Sequence, residues 1–141
     1  MPNPEKWNLN NWDDFAASRF QDVSIASFAK SGAVADVFMK QFHERVKINQ
    51  LRNFFGEIKK VQNSKSIFDD DARLKDELAV LEMNLAYDYG RNVITKEFYQ
   101  LMVQSLSKII TADDFSKFVT FIKSLIAYHK FHAKGLGEKN A

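Results

Sequence analysis

Two sets of basic side chains in this sequence recur at helical spacing. Arg52, Lys59 and Asn63 are seven and four residues apart, and Lys123, Lys130 and Lys134 repeat the same two steps. On an α-helix such steps return to one face, so each set forms a polar stripe rich in cations. Between Arg45 and Lys65, the residues Arg45, Lys47, Arg52, Lys59, Lys60 and Lys65 meet one acid, Glu57, and between Phe115 and Gly137 there is no acid at all. Unneutralised stripes of this kind suit phosphates, whose binding releases condensed counterions and ignores base identity. Arg91 and Lys96 flank a short turn after Gly90 that could direct both charges towards one groove. A single lysine of this kind is more often part of a solvated helix face, so the argument rests on the two stripes together.

Other constellations carry less. His129 and His132 have a spacing that could hold a metal, but no acid or cysteine beside them completes a site, and His43-Glu44 lacks the second histidine of a zinc hydrolase motif. Asp69, Asp70 and Asp71, and the pair Asp113-Asp114, could be imagined as a two-metal nuclease centre. They stand where helix starts usually carry acids, which makes capping the simpler role. Phosphate-cradling GxxxxGK[ST] and GxGxxG loops and the GxSxG serine motif are absent. Neither a cofactor nor an enzymatic activity is expected. Tyr87, Tyr89, Tyr128 and Phe131 could stack on bases, yet aromatics at helical spacing are usually core, and Tyr87 and Tyr128 are expected to pack inside.

The elements that position the stripes follow from periodicity and punctuation. The two prolines are Pro2 and Pro4, so nothing forces a helix to break after Glu5. Apolar spacing predicts helices over Asp13 to Phe28, Ala33 to Val46 (Val34, Val37, Phe38, Phe42) and Lys47 to Gln62 (Leu51, Phe54, Phe55, Ile58, Val61). A fourth helix starts at Asp69 to Asp71 and runs to Tyr89 on Leu74, Leu78, Leu81 and Leu85, with Gly90 as its left-handed terminator. Thr95 caps a fifth helix from Lys96 to Ile110. Thr111, with Asp114 as the capping-box acid, starts a sixth that runs from Asp113 to Lys134. No strand pattern competes. The expected fold is all-α, a compact bundle of about five or six helices with antiparallel neighbours. Residues 13–134 would be one domain, with a flexible segment at 1–12, where Trp7 and Trp12 dock locally, and a flexible tail at 135–141.

Bulk properties agree with that frame. A chain of 141 residues with 13 phenylalanines can bury a phenylalanine-rich core without staples. A mean hydropathy of −0.34, with no long uncharged apolar run, is not that of a membrane protein. Zero cysteines exclude disulfides and thiolate chemistry, and the N-terminus lacks the layout of a secretion signal, so a cytoplasmic location is expected. The net charge of +2 is too mild to indicate nucleic acid by itself.

Three segments resemble one family: Gln50-Leu51-Arg52-Asn53-Phe54-Phe55-Gly56-Glu57-Ile58-Lys59, Leu85-Ala86-Tyr87-Asp88-Tyr89-Gly90-Arg91, and Ala127-Tyr128-His129-Lys130-Phe131. In this order and spacing they resemble the small subunit of the type III-A CRISPR-Cas interference complex, the Csm complex, over about Lys47 to Lys134. The resemblance implies a non-catalytic helical subunit that stacks in several copies beside the backbone and large polymerase-like subunits. It would line the channel where guide RNA pairs with single-stranded target RNA, touching the target through its sugar-phosphate backbone in antiviral defence. Arg52, Lys59, Arg91 and Lys130 match the family's basic motif positions, and the basic stripe adds Lys123 and Lys134 as RNA contacts. Two departures stand out. Glu82-Met83-Asn84 replaces an expected proline flanked by basic residues, and Lys123 stands where an acid is expected, which either enlarges the RNA face or replaces a subunit contact. The rival reading from charge alone is a helical adaptor for acidic protein surfaces, with no nucleic acid involved.

Overall fold

The computed structural model describes residues 19–64 and 71–135. The segment expected to be flexible at 1–12, all but the first residue of the tail expected at 135–141, and the two tryptophans lie outside them. Among the described residues there are helices and no strand: a 3-10 turn at Phe20–Asp22, then α1 (Ala26–Ala29), α2 (Val34–Phe42), α3 (Ile48–Gln62), α4 (Asp71–Gly90), α5 (Lys96–Leu106) and α6 (Ala112–Ala133). The all-helical bundle expected from periodicity is the fold observed.

The last helix is the centre of the bundle. The 3-10 turn, α1, α2 and α3 all pack on α6, whereas α4 packs mainly on α5 and touches α3. Phe115, Phe118, Phe121, Ile122 and Leu125 of α6 are completely buried, each such side chain contributing roughly 1.5–3 kcal/mol by leaving water. Phe20 and Phe28 close on this helix edge-to-face, Phe20 with Phe118 at 5.8 Å and Phe28 with Phe121 at 5.3 Å between ring centroids, an arrangement the ring quadrupoles favour.

The N-terminus of α6 is fixed by a buried carboxylate. Thr111 Oγ1 accepts from the Asp114 backbone N–H at 3.3 Å while Asp114 Oδ2 accepts from Thr111 N–H at 3.0 Å, which completes the expected capping box. Asp114 does more than cap. Its Oδ2 also accepts from Ile110 N–H at 2.8 Å and Arg19 Nη2 at 2.8 Å, and its Oδ1 from Gln21 N–H at 2.7 Å. Burial alone would raise its pKa, but the donors from Arg19, Ile110, Thr111 and Gln21 outweigh it and hold the carboxyl below the ordinary carboxylate range.

These bonds explain where the observed elements differ from the sequence-based ones. Residues 13–18 of the helix expected over Asp13 to Phe28 lie outside the described residues, and from 19 to 25 the chain is not α-helical. There the backbone pairs across the bundle: Phe20 N–H donates to Lys108 O, Gln21 N–H to Asp114, and Lys117 Nζ donates to the carbonyls of Val23 and Gln21. The fifth helix stops at Leu106, short of Ile110, because the chain beyond it turns to present Ile110 and Thr111 to the same carboxylate. Lys108, in that turn, is buried with its ammonium 5.6 Å from the Phe20 ring centroid, and burial lowers its pKa to about 8. The second helix ends at Phe42 instead of Val46. Gly90 closes α4 but is not its left-handed residue; that is Asn92, at φ 64°, a residue type whose short polar side chain tolerates the conformation.

Asp114→Asn leaves the shape intact and removes the charge that the surrounding donors face, so unfolding free energy at neutral pH should fall by about 3 kcal/mol, read by urea denaturation. The contribution of Asp114 is complete above the ordinary carboxylate pKa of about 4 and is lost as pH falls below it through the depressed folded value. The gap between wild type and Asp114→Asn should therefore narrow on acidification; a gap that is constant with pH would refute the assignment.

Candidate nucleic-acid interface

On α3 the buried stripe is Leu51, Phe54, Ile58 and Val61. Arg52 is exposed and Lys59 half-buried beside it, and seven residues of helix place both on one flank about 10 Å apart. On α6, His129 and His132 point inward while Lys123, Lys130 and Lys134 are exposed. Where the start of α3 meets the end of α6, Ile48, Arg52, His129, Lys130, Ala133 and Lys134 line an open groove of about 250 Å³. Arg52, Lys130 and Lys134 of the expected RNA-binding set thus converge, and no acid is among the groove's lining residues. Lys59 and Lys123 lie farther along the same helix faces, and the Lys59 ammonium donates to Gln62 Oε1 at 2.8 Å.

The groove is held open by buried histidines. His129 Nε2–H donates to Val46 O at 2.6 Å and so fixes the connection that leads into α3. His132 meets Asp36 Oδ1 of α2 at 2.5 Å, and Asp36 Oδ2 accepts from Gly32 N–H at 2.7 Å in the turn before that helix. His43 Nδ1–H donates to Met39 O at 3.0 Å, and its ring centroid lies 6.4 Å from that of His129 and 6.0 Å from that of His132. All three histidines of the chain therefore gather between α2 and α6. Tyr128 adds a hydroxyl bond to Ala29 O at 2.9 Å, and burial, with the nearby Asp36 charge, raises its pKa.

Arg91 is placed elsewhere. At the end of α4 its Nη2 is 3.5 Å from Asp88 Oδ1 and its guanidinium lies 4.9 Å from the Tyr87 ring centroid, both partners within its own helix segment. Neither Arg91 nor Lys96 lines the groove. Tyr87, expected in the core, is 64% exposed, because α4 turns Leu74, Leu81 and Leu85 inward and leaves the face of Val80, Met83 and Tyr87 in solvent. Tyr128 is half-buried and packs against the core, and Tyr89 stacks on Tyr99 at 4.8 Å. Arg45 is engaged in structure, with Nη2 3.0 Å from Glu97 Oε1.

Sequence reasoning missed the groove's apolar floor. Ile48 lies one turn before Arg52, and Ala133 lies between Lys130 and Lys134, so extending each basic face by one turn brings both into view. Donors occupy both oxygens of Asp114, Asp69 and Asp70 lie outside the described residues, and no group of three or more His, Cys, Asp or Glu among the described residues could hold a metal. No helix among the described residues is long and apolar enough to cross a membrane.

The chain is a helical bundle whose central helix faces the core on one side and carries exposed lysines on the other. Residues 27–135 match the family described as Csm2 Type III-A, and the chain belongs to that family, a structural subunit of the type III-A CRISPR complex that associates with the other Csm subunits. No curated protein and no solved structure matches the chain.

Because the His129 bond sets where α3 begins relative to α6, His129→Ala should lower unfolding free energy by about 1–3 kcal/mol by leaving a buried carbonyl without its donor. Hydrogen exchange should show loosening centred on residues 43–52; undisturbed protection there would refute the positioning role.

Proposed function

We propose that this chain is a non-catalytic, multi-copy RNA-binding subunit that holds the sugar-phosphate backbone of target RNA along the guide–target channel, in antiviral defence in the cytoplasm. The observation that carries this reading is the convergence of Arg52, Lys130 and Lys134 on one groove with no lining acid. Three cations gathered without neutralisation repel one another, and an anionic strand relieves that cost while releasing its own counterions. Lys59 and Lys123 extend the cationic surface along the two helices, Lys123 either as a further phosphate contact or as a contact to a neighbouring subunit. Arg91 contributes from the end of α4 as a separate contact.

The partners proposed are guide RNA and single-stranded target RNA, the backbone and large polymerase-like subunits, and further copies of the chain in a stack. Val80, Met83 and Tyr87 form an exposed apolar stripe on α4. An apolar stripe holds phosphates poorly and suits protein, so this face is assigned to subunit contacts.

Arg52→Ala and Lys130→Ala should each weaken single-stranded RNA binding alike for unrelated sequences and lower the salt slope by about 0.7–1 for each phosphate left unneutralised. Unchanged affinity and slope would overturn the reading. Met83→Asp, at an exposed helix position, should change unfolding free energy by no more than about 0.5 kcal/mol yet reduce co-purification with the other Csm subunits. Full incorporation of the variant would remove α4 from the subunit contacts.

A further inference from the structure

The groove between α3 and α6 has a composition that phosphate alone does not require. Its floor is carbon: Ile48 from the first turn of α3 and Ala133 from the last turn of α6, with the buried His129 between them. Its rim is cationic: Arg52, Lys130 and Lys134. The stems of those three side chains add further apolar wall, because long basic residues lay their methylenes along apolar surface and keep only the head in water. A site built for phosphate alone presents donors to the ligand on every side. A site for an apolar peptide side chain has no use for three cations. A flat, largely apolar body carried between anionic groups satisfies both halves of this groove at once, and an RNA nucleotide has that chemistry.

The volume sets the size of the occupant. About 250 Å³ lies below the range of roughly 300–1,000 Å³ typical of drug-sized ligands and is enough for one nucleobase. The base must also be unpaired. In an A-form duplex the base faces are stacked and the major groove is too narrow for side chains, so only a nucleotide splayed out of the helix can present its base to a pocket.

We propose that this groove is a nucleotide seat, in which one unpaired base of the bound RNA rests on Ile48, Ala133 and His129 while its flanking phosphates are held by Arg52, Lys130 and Lys134. The inference rests on the RNA-binding reading above and deepens it. Backbone contacts hold the strand regardless of sequence, and the seat adds affinity for any position where the strand offers a free base. Because an aliphatic and imidazole floor offers packing and few directional bonds, the seat accepts different bases with little discrimination.

The test compares two strands with the full-length chain: a ten-nucleotide oligouridylate and a strand of equal length and charge whose sugars carry no bases. Wild type should bind the base-bearing strand at least about 5-fold more tightly, as expected if roughly 40 Å² of apolar surface leaves water on seating one base. Ala133→Leu, at an exposed position where leucine favours helix, fills the seat. It should reduce the affinity for oligouridylate to that for the abasic strand and leave abasic binding and the salt slope unchanged. Ile48→Ser, which removes the other wall, should do the same. Equal wild-type affinity for both strands, with sensitivity to Arg52→Ala retained, would overturn the seat and leave the backbone reading standing. Failure to bind either strand, with binding to an acidic peptide instead, would overturn both.

Discussion

Everything in this bundle depends on a carboxylate that is out of water. Asp114 is fully buried at the first turn of α6 and accepts from Arg19 and from the backbone of Gln21, Ile110 and Thr111. A charge in that position costs several kcal/mol unless donors surround it; here they come from the N-terminal turn and from the turn that leads into α6. The carboxylate fixes the entry of α6, halts α5 and holds the N-terminal turn in place. The phenylalanines behind it can then close on α6, since Phe20 lies one residue after Arg19 and packs on Phe118.

From that anchored end, α6 serves two purposes along its length. Its inner side supplies Phe115, Phe118, Phe121, Ile122 and Leu125 to the core, and further along it places His129 and His132 where polar bonds join ring packing. Its outer side supplies the lysines. Because the inner side is held by close packing and by directional bonds to Val46 and Asp36, the outer side cannot rotate, and Lys130 and Lys134 stay opposite Arg52. The placement of the charged surface is thus a property of the core beneath it.

How much of this was legible in the sequence follows from which interactions are local. The periodicity of Leu51, Phe54, Ile58 and Val61 specifies α3 to within one residue of its observed span, and the Thr111 and Asp114 pair marks the start of α6. Both signals lie within a few residues of what they specify. The departure from α-helix between residues 19 and 25 was not legible, because its cause sits about ninety residues away at Asp114 and Lys117. For Tyr87 the reading failed differently: α4 carries apolar residues on two faces, and periodicity does not say which face finds a partner. The basic stripes were visible, and the convergence of Arg52 with Lys130 and Lys134 agrees with them. Arg91 and Lys96 flank the turn after Gly90 but neither lines the groove, and Arg91 meets Asp88 and Tyr87 of its own segment. The groove's floor escaped because Ile48 and Ala133 carry no charge and attract no notice until two helices bring them together.

The clasp between residues 19–36 and α6 bears on the order in which the molecule can be made. Arg19 and Asp114 are 95 positions apart, Asp36 and His132 are 96, and Ala29 and Tyr128 are 99. Until α6 has been synthesised, Phe20 and Phe28 lack the Phe118 and Phe121 rings that cover them and have only each other to pack on. The helix that finishes the core also completes the groove. A nascent chain that lacks the end of α6 therefore has no such groove.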